Sequence, residues 1–166
     1  MDAVLKLHRK WLSNSSEGRQ ADLRGAPLNG ENFTGTDLSR LVATGASFHD
    51  SRFYDVDLSS SDFGAAEFYH ARLHHSSLMK MNARDANFIG ARMDHCDFSG
   101  ADLAGANFFR AELVECSFRG ADLRGCDFRE VRMRGSDFRG ANLSGAAGLT
   151  NEQIAQAIID DSTMLP

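Results

Sequence analysis

Large apolar residues recur at every fifth position of the chain from Leu23 to Leu143. Of these 25 central positions, 23 carry Leu, Phe or Met and the other two carry Ala. Neither the helical period of 3.6 residues nor the strand period of two produces a five-residue repeat over this length. A solenoid with one short side and one corner per repeat does. The pattern therefore predicts an all-β solenoid over residues 21–145.

The positions on either side of each central residue are also specialised. Two residues earlier the side chain is small, with Ala at 12 of 25 positions and Ser or one of the three Cys at several others. Two residues later, 12 of the 15 Gly appear. Eleven of the twelve Phe occupy central positions, and only Phe109 does not. We expect the central and small residues to point inward.

Two repeats exchange the large and small positions. Leu41 occupies a small-residue position and its central partner is Ala43, while Met81 is followed in the same way by Ala83. Moving the large residue by two places conserves the volume that a close-packed core requires. The repeat register is therefore expected to continue through both sites without a bulge.

Several repeats share one consensus. Residues 21–25, 101–105 and 121–125 all read Ala-Asp-Leu-X-Gly. With these motifs the chain resembles the bacterial pentapeptide-repeat family. The resemblance implies a right-handed quadrilateral parallel β-helix of about six coils, each with twenty residues, over residues 21–145. One column at a spacing of twenty residues is pure Phe and agrees with four sides: Phe48, Phe68, Phe88, Phe108 and Phe128.

The two ends are expected to carry short helical caps, because an open end of a β-helix recruits other chains. Residues 1–20 are interpreted as a capping helix and linker. The helix is predicted over residues 2–12, with an apolar side formed by Val4, Leu5, Leu7, Trp11 and Leu12.

Residues 146–166 are interpreted as a second capping helix and a tail. Thr150 and Gln153 have the spacing of a capping box, which predicts a helix over about 151–160. The apolar residues Leu149, Ile154 and Ile158 either cap the rod or form a symmetric dimer. The chain is thus expected to be a monomer or a homodimer joined through its C-terminal helix.

Composition and charge exclude several classes of protein. A formal net charge of −5 argues against a broad basic surface, so direct nucleic-acid binding is not expected. No apolar run approaches a membrane span, and the first residues lack the apolar stretch of a signal peptide. Three cysteines favour a cytoplasmic location with reduced thiols. Without a recognisable catalytic or cofactor motif, neither enzyme activity nor a cofactor is expected.

One outward column carries unusually large apolar residues. Tyr69, Ile89 and Phe109 lie twenty residues apart, directly after central positions, and Tyr54 and Val114 extend the set around a corner. A contiguous exposed apolar stripe indicates a partner-binding site. Single apolar residues scattered over the surface are the alternative.

A second outward column is basic. It comprises Arg52, Arg72, Arg92 and Arg132, with Glu112 between the last two. Three interpretations remain open: a solvated ladder of ion pairs, an anion site on the arginines, and a metal site nearby. The metal ligands would come from His75, His95, Asp55 and Glu115.

A basic belt surrounds the last coil and a quarter, with one arginine on each of five successive sides. The belt pairs with neighbouring acids or recognises an acidic partner. It contrasts with residues 41–70, which hold five acids and one base. The belt consists of Arg119, Arg124, Arg129, Arg134 and Arg139.

These features predict a non-catalytic rod that acts as a protein–protein interaction module or scaffold for an unidentified protein partner. The family resemblance implies an alternative, a DNA mimic that modulates bacterial DNA gyrase. A metal-binding protein based on the histidine cluster is a second alternative. Cys96 and Cys116 lie one coil apart, within disulfide range, but all three cysteines are expected to be buried thiols that replace Ala.

Overall fold

The protein is a stack of twenty-residue coils, as seen in a computed structural model that describes residues 2–166. Parallel backbone bridges join residues twenty positions apart, from Asp22 with Val42 to Asp127 with Ala147. The longest paired segments are β1 (Arg52–Tyr54) and β2 (Arg72–His74), which are parallel and place Arg52 opposite Arg72. The predicted all-β solenoid is therefore present over residues 21–145, with short bridged sides instead of long strands.

The backbone conformation at the corners of the coil explains why Gly is common two residues after each central residue. All 25 residues that follow a central residue by two have a left-handed φ, from Gly25 at 62° to Gly145 at 72°. Glycine adopts this conformation without a steric penalty. The remaining corners are occupied by other residues, such as Glu115 at 55°. Each left-handed residue turns the chain toward the next side of the coil.

The Asp or Asn of the consensus stabilises the same turn. Its side-chain oxygen accepts a hydrogen bond from the backbone amide two residues later, as Asp57 does from Ser59 at 2.8 Å. All fourteen Asp and Asn residues at this position make this bond. These local bonds favour turn over helix or extended strand. The consensus therefore encodes the side and the corner of each repeat.

Stacked aromatic rings fill the interior of the rod. In the predicted Phe column, Phe68 and Phe88 stack with ring centroids 4.9 Å apart and planes inclined by 9°. All 25 central residues are buried. Leu41 and Met81 are each 1% exposed and their partners Ala43 and Ala83 are fully buried, so the predicted volume exchange is confirmed.

Small polar residues inside the rod bond to the preceding coil. The Cys96 thiol donates to the Leu73 carbonyl at 2.7 Å, and the Ser61 hydroxyl donates to the Leu38 carbonyl at 2.9 Å. All three cysteines are free and buried. Burial raises the pKa of Cys96 and Cys126 to about 12. The prediction that buried thiols replace Ala is confirmed.

These thiols are expected to be unreactive in the folded protein. Because only the thiolate is nucleophilic, a pKa near 12 leaves almost none of it at neutral pH. A chromogenic disulfide reagent should therefore detect no thiol in the native protein and three thiols in denaturant. Rapid modification of even one cysteine in the native protein would contradict this arrangement of the core.

The first helix, α1 (Asp2–Leu12), has the predicted span but a different contact with the rod. Of the predicted apolar side, Leu5 packs against the core, whereas Val4 and Leu7 are 38% and 39% exposed. The buried residue of α1 is His8. Its Nδ1 accepts the Ala21 amide at 3.0 Å, and its Nε2 bonds to the Ser39 carbonyl at 3.0 Å.

The second helix, α2 (Asn151–Gln156), is shorter than predicted. Thr150 and Gln153 form the expected capping box, but the helix ends before residue 160. The Ile158 amide instead donates to the Ser136 carbonyl at 2.8 Å, and Met164 bonds to Ala141 at 3.0 Å. The tail thus satisfies backbone groups at the open edge of the last coil. No helix within residues 2–166 is long and apolar enough to cross a membrane.

Candidate interaction surfaces

The predicted apolar stripe occupies three adjacent coils. The Gly90 amide bonds to the Phe109 carbonyl at 3.0 Å, and the His70 amide bonds to the Ile89 carbonyl at 3.1 Å. Tyr69, Ile89 and Phe109 are outside the core and half-buried. Phe109 is the one phenylalanine of twelve that is not enclosed. We call these three residues the apolar stripe.

Neighbouring polar groups partly cover the apolar stripe. The Tyr69 hydroxyl accepts a hydrogen bond from Asn87 at 2.6 Å. The guanidinium groups of Arg110 and Arg129 lie 4.7 and 5.5 Å from the Phe109 ring centroid. These cation–π contacts hold the ring between two cations, so it is presented in a defined orientation.

The proposed extension of the stripe lies on the next side of the coil. Tyr54 and Val114 are half-buried there, and the Tyr54 ring packs against His74 with centroids 5.0 Å apart. The tail after α2 also exposes large apolar residues. Ile158 was already a candidate from the sequence, whereas three others were not singled out there: Ile159, Met164 and Leu165.

The arginine column is only partly neutralised. Glu112 contacts Arg132 at 3.1 Å and Arg92 at 3.8 Å. Within residues 2–166, Arg52 and Arg72 make no ion pair, although they lie directly opposite each other in β1 and β2. The predicted ladder of ion pairs therefore exists only at the C-terminal end of the column.

The rings and carboxylates of the histidine cluster lie side by side along the rod. The His75 and His95 rings stack in parallel, with centroids 4.8 Å apart, and His95 contacts Glu115 at 3.4 Å. In the part of the chain that the structure describes, no three His, Cys, Asp or Glu side chains converge on one point. The alternative of a metal site that also used Asp55 has no converging set of ligands here, because these side chains project side by side from successive coils.

Four of the five arginines in the basic belt form ion pairs with Asp residues of the same coils. Arg124, Arg129 and Arg139 each pair with the Asp two residues earlier, at 2.5–2.6 Å. Arg119 reaches Asp137 at 3.4 Å, while Arg134 makes no ion pair within residues 2–166. The Arg139 guanidinium lowers the pKa of Asp137 to about 2. This geometry fits the interpretation of the belt as paired surface charge.

The dimer candidates occupy different environments. Leu149 packs against the core and Ile154 is half-buried, so both contribute to covering the end of the rod. Ile158 is 45% exposed and lies in the bridge to Asp137, outside α2. The prediction that Ile158 lies within the C-terminal helix is therefore wrong, because α2 ends at Gln156.

The rod has coils of twenty residues, a residue with left-handed φ at each corner, and an interior filled by apolar side chains. These features define a pentapeptide-repeat solenoid. Two family models match the sequence: one described as a pentapeptide repeat region over residues 46–147, and one described as pentapeptide repeats over residues 19–53. The first match alone covers more than half of the chain. The chain therefore belongs to the pentapeptide repeat family.

Similar solved structures include three repeat proteins. A trypsin-treated variant of QnrB1, a plasmid-mediated fluoroquinolone resistance protein, is 19% identical over 75% of this chain and 68% of that chain, with a TM-score of 0.48. HetL, involved in heterocyst differentiation regulation in the cyanobacterium Nostoc, is 22% identical over 95% of this chain and 77% of that chain, with a TM-score of 0.43.

The third is a pentapeptide repeat protein from the Arabidopsis thaliana thylakoid lumen. It is 25% identical over 80% of this chain and 74% of that chain, with a TM-score of 0.35. Comparison with curated proteins finds no match. The family assignment rests on the two family models.

Proposed function

We propose that this protein is a non-catalytic interaction rod that binds a protein partner through the apolar stripe. The observation that carries the proposal is the outward position of Tyr69, Ile89 and Phe109 on adjacent coils, outside a core that already encloses every other Phe. A contiguous apolar surface of this kind marks an interaction site. The regular stack supplies a rigid support for it.

The surroundings of Phe109 support the same proposal. Arg129 pairs with Asp127, and Arg110 pairs with Glu130 at 2.8 Å, so both cations beside the ring are anchored. Aromatic and arginine side chains are enriched at the energetic centres of interfaces. A ring that is already oriented loses little side-chain entropy when it binds.

Replacing Phe109 with Asp is expected to abolish partner binding while leaving the fold intact. The side chain is outside the core, and its Arg neighbours accommodate a carboxylate. Affinity capture should compare the wild type with Phe109→Asp and with Met79→Asp, which changes an exposed apolar residue on another side. Loss of the same bound protein only in Phe109→Asp is expected. Retention of that protein by Phe109→Asp would contradict the proposal.

The alternative function, a DNA mimic that modulates gyrase, has one supporting observation. Asp37, Asp57 and Asp97 lie two sides away from the apolar stripe and form no ion pair within residues 2–166. Each uses one oxygen for its turn and leaves the other free. With Ser77 between Asp57 and Asp97, this side presents three negative charges over four coils.

A gyrase supercoiling assay tests this alternative. Dose-dependent inhibition that is lost in Asp57→Asn is expected for a DNA mimic. The matched control is Asp127→Asn, because Asp127 is paired with Arg129. No inhibition by the wild-type protein, or equal inhibition by Asp57→Asn, would exclude mimicry through this column.

The cellular location and the assembly state complete the proposal. Three free thiols support a reducing cytoplasm, and the resemblance to the family supports a right-handed coil.

For assembly, the exposed tail residues replace the predicted helix face as the dimer candidate. Sedimentation of the wild type and Ile158→Asp distinguishes the two states: a dimer that dissociates in the variant supports self-association, and a wild-type monomer excludes it.

A further inference from the structure

We propose that Arg52, Arg72 and Arg92 form a binding site for a phosphate monoester, with Arg72 at its centre. We call these three residues the arginine ladder. The ladder lies on the side of the coil that follows the apolar stripe, and the inference does not depend on the proposed partner of that stripe. It extends the function of the rod to an anionic ligand.

The arginine ladder occupies positions where the chain elsewhere places turn-forming residues. Most repeats have Asp or Asn immediately before the central residue, and each of those side chains accepts the amide two residues on, as in Asp57 and Asp97. Arginine has no acceptor atom and makes no such bond. The three ladder repeats are therefore among the eleven of 25 that lack a stabilising hydrogen bond, which the other fourteen repeats possess.

The ladder also brings like charges together. Arg52 is directly opposite Arg72, and Arg72 is bridged to Arg92 on the next coil. Like charges at opposed positions of a sheet destabilise it. Arginines on other sides of this rod are neutralised, such as Arg84 by Asp102 at 3.0 Å and Arg124 by Asp122 at 2.6 Å. The ladder is thus an unfavourable arrangement for stability alone.

Nearby acids leave the centre of the ladder unneutralised. Asp94 forms an ion pair with His74 at 3.3 Å, and Glu112 forms ion pairs with both Arg132 and Arg92. Asp50 and Asp55 occupy the corners on either side of Arg52 and form no ion pair with it. Arg72 therefore has two cationic neighbours and no anionic contact within residues 2–166.

The chemistry of the ligand follows from these neighbours. A guanidinium group presents parallel donors that match two oxygens of a phosphate. Adjacent coils are about 4.8 Å apart, so two flexible arginines can contact different oxygens of one phosphate group. Tyr54 and His74 follow two ladder residues on the same side and offer aromatic surface to the group that carries the phosphate. Such a phosphate belongs to a phosphorylated protein segment or to a small phosphate ester.

Fluorescence anisotropy with a labelled phosphoserine peptide tests the site. The peptide is flanked by Gly and Ala, and its unphosphorylated form is the ligand control. We expect binding of the phosphopeptide alone, with an affinity that falls about tenfold or more in Arg72→Gln. Arg84→Gln is the matched protein control, because it removes an exposed but ion-paired arginine on another side. It should retain the affinity of the wild type.

Competition with phenyl phosphate identifies the source of the phosphate. If phenyl phosphate displaces the peptide with equal affinity, the site recognises a small ester; much weaker competition indicates a phosphorylated segment. Equal binding of the two peptides, no binding of the phosphopeptide, or equal losses in Arg72→Gln and Arg84→Gln would each overturn the proposal. None of these outcomes depends on partner binding by the apolar stripe.

Discussion

Replacing Phe108 with Ala is expected to lower the free energy of unfolding by about 3–5 kcal/mol. The same change at Phe109 is expected to have little effect. Phe108 is fully buried and stacks between Phe88 and Phe128, with centroid distances of 5.1 and 5.4 Å. Removing one ring from the column leaves a cavity that close-packed neighbours fill only in part. The loss of ring stacking and the loss of apolar burial both lower the free energy of unfolding.

Phe109→Ala is the matched control for that change. The same atoms are removed one position along the chain, from a ring that lies outside the core and contacts two arginines. Its effect on stability should stay below about 1 kcal/mol, as for other surface changes. Denaturant unfolding of both variants gives the comparison. Similar losses at the two positions would show that the division between inward and outward residues is incorrect.

Replacing His8 with Ala is expected to produce the second large effect, a loss of about 2–4 kcal/mol. The change leaves the Ala21 amide and the Ser39 carbonyl without their partner in a buried site. It also removes the ring that stacks on Trp11 at 5.6 Å. Because His8 is the only buried residue of α1 among residues 2–12, we expect Trp11 fluorescence to report loosening of the helix. His49→Ala is the control, because it removes a half-buried ring outside the core, and it should have much less effect.

The His8 contacts also give stability a defined dependence on pH. Burial lowers the pKa of His8 below its usual 6.5, while the Ser39 carbonyl and Asp37 oppose this and Arg40 adds to it. The neutral ring is required because Nδ1 accepts a hydrogen bond. Below the unfolded-state pKa the unfolded chain binds the proton first, so stability is complete above about pH 6.5 and falls as the pH decreases.

Unfolding experiments at about pH 7.5 and pH 5.5 test this dependence. The wild type should lose more stability between these values than His8→Phe does. The comparison between proteins is needed because burial also lowers the pKa of His74, which adds a similar dependence to both. An identical pH dependence in wild type and variant would show that the His8 ring is not held in its neutral form.

The sequence predicted the repeat unit and its inward residues because the five-residue period itself encodes them. The position of Phe109 outside the core followed from its place directly after a central residue. His8 was missed, since its role depends on the Ala21 amide and the Ser39 carbonyl, which only the folded coil brings near α1. Local sequence pattern does not show such long-range contacts.

The same limitation explains the errors at the C-terminal end and in the histidine cluster. The capping box of α2 is local and was recognised, but the extent of the helix depends on an open coil edge that competes for Ile158. For His75 and His95, spacing placed the rings on adjacent coils without showing their direction. The stacked geometry depends on the parallel arrangement of the coils.

Site-specific photo-crosslinking tests the central claim most directly. A photoreactive residue placed at position 89 lies within the apolar stripe, and the same residue at position 79 replaces Met79, an exposed apolar residue on another side. We expect one saturable protein adduct from position 89 and none from position 79. Excess unlabelled wild-type protein should suppress the adduct, and Phe109→Asp should not. Equal adducts from both positions, or equal suppression by Phe109→Asp, would contradict partner binding through the apolar stripe.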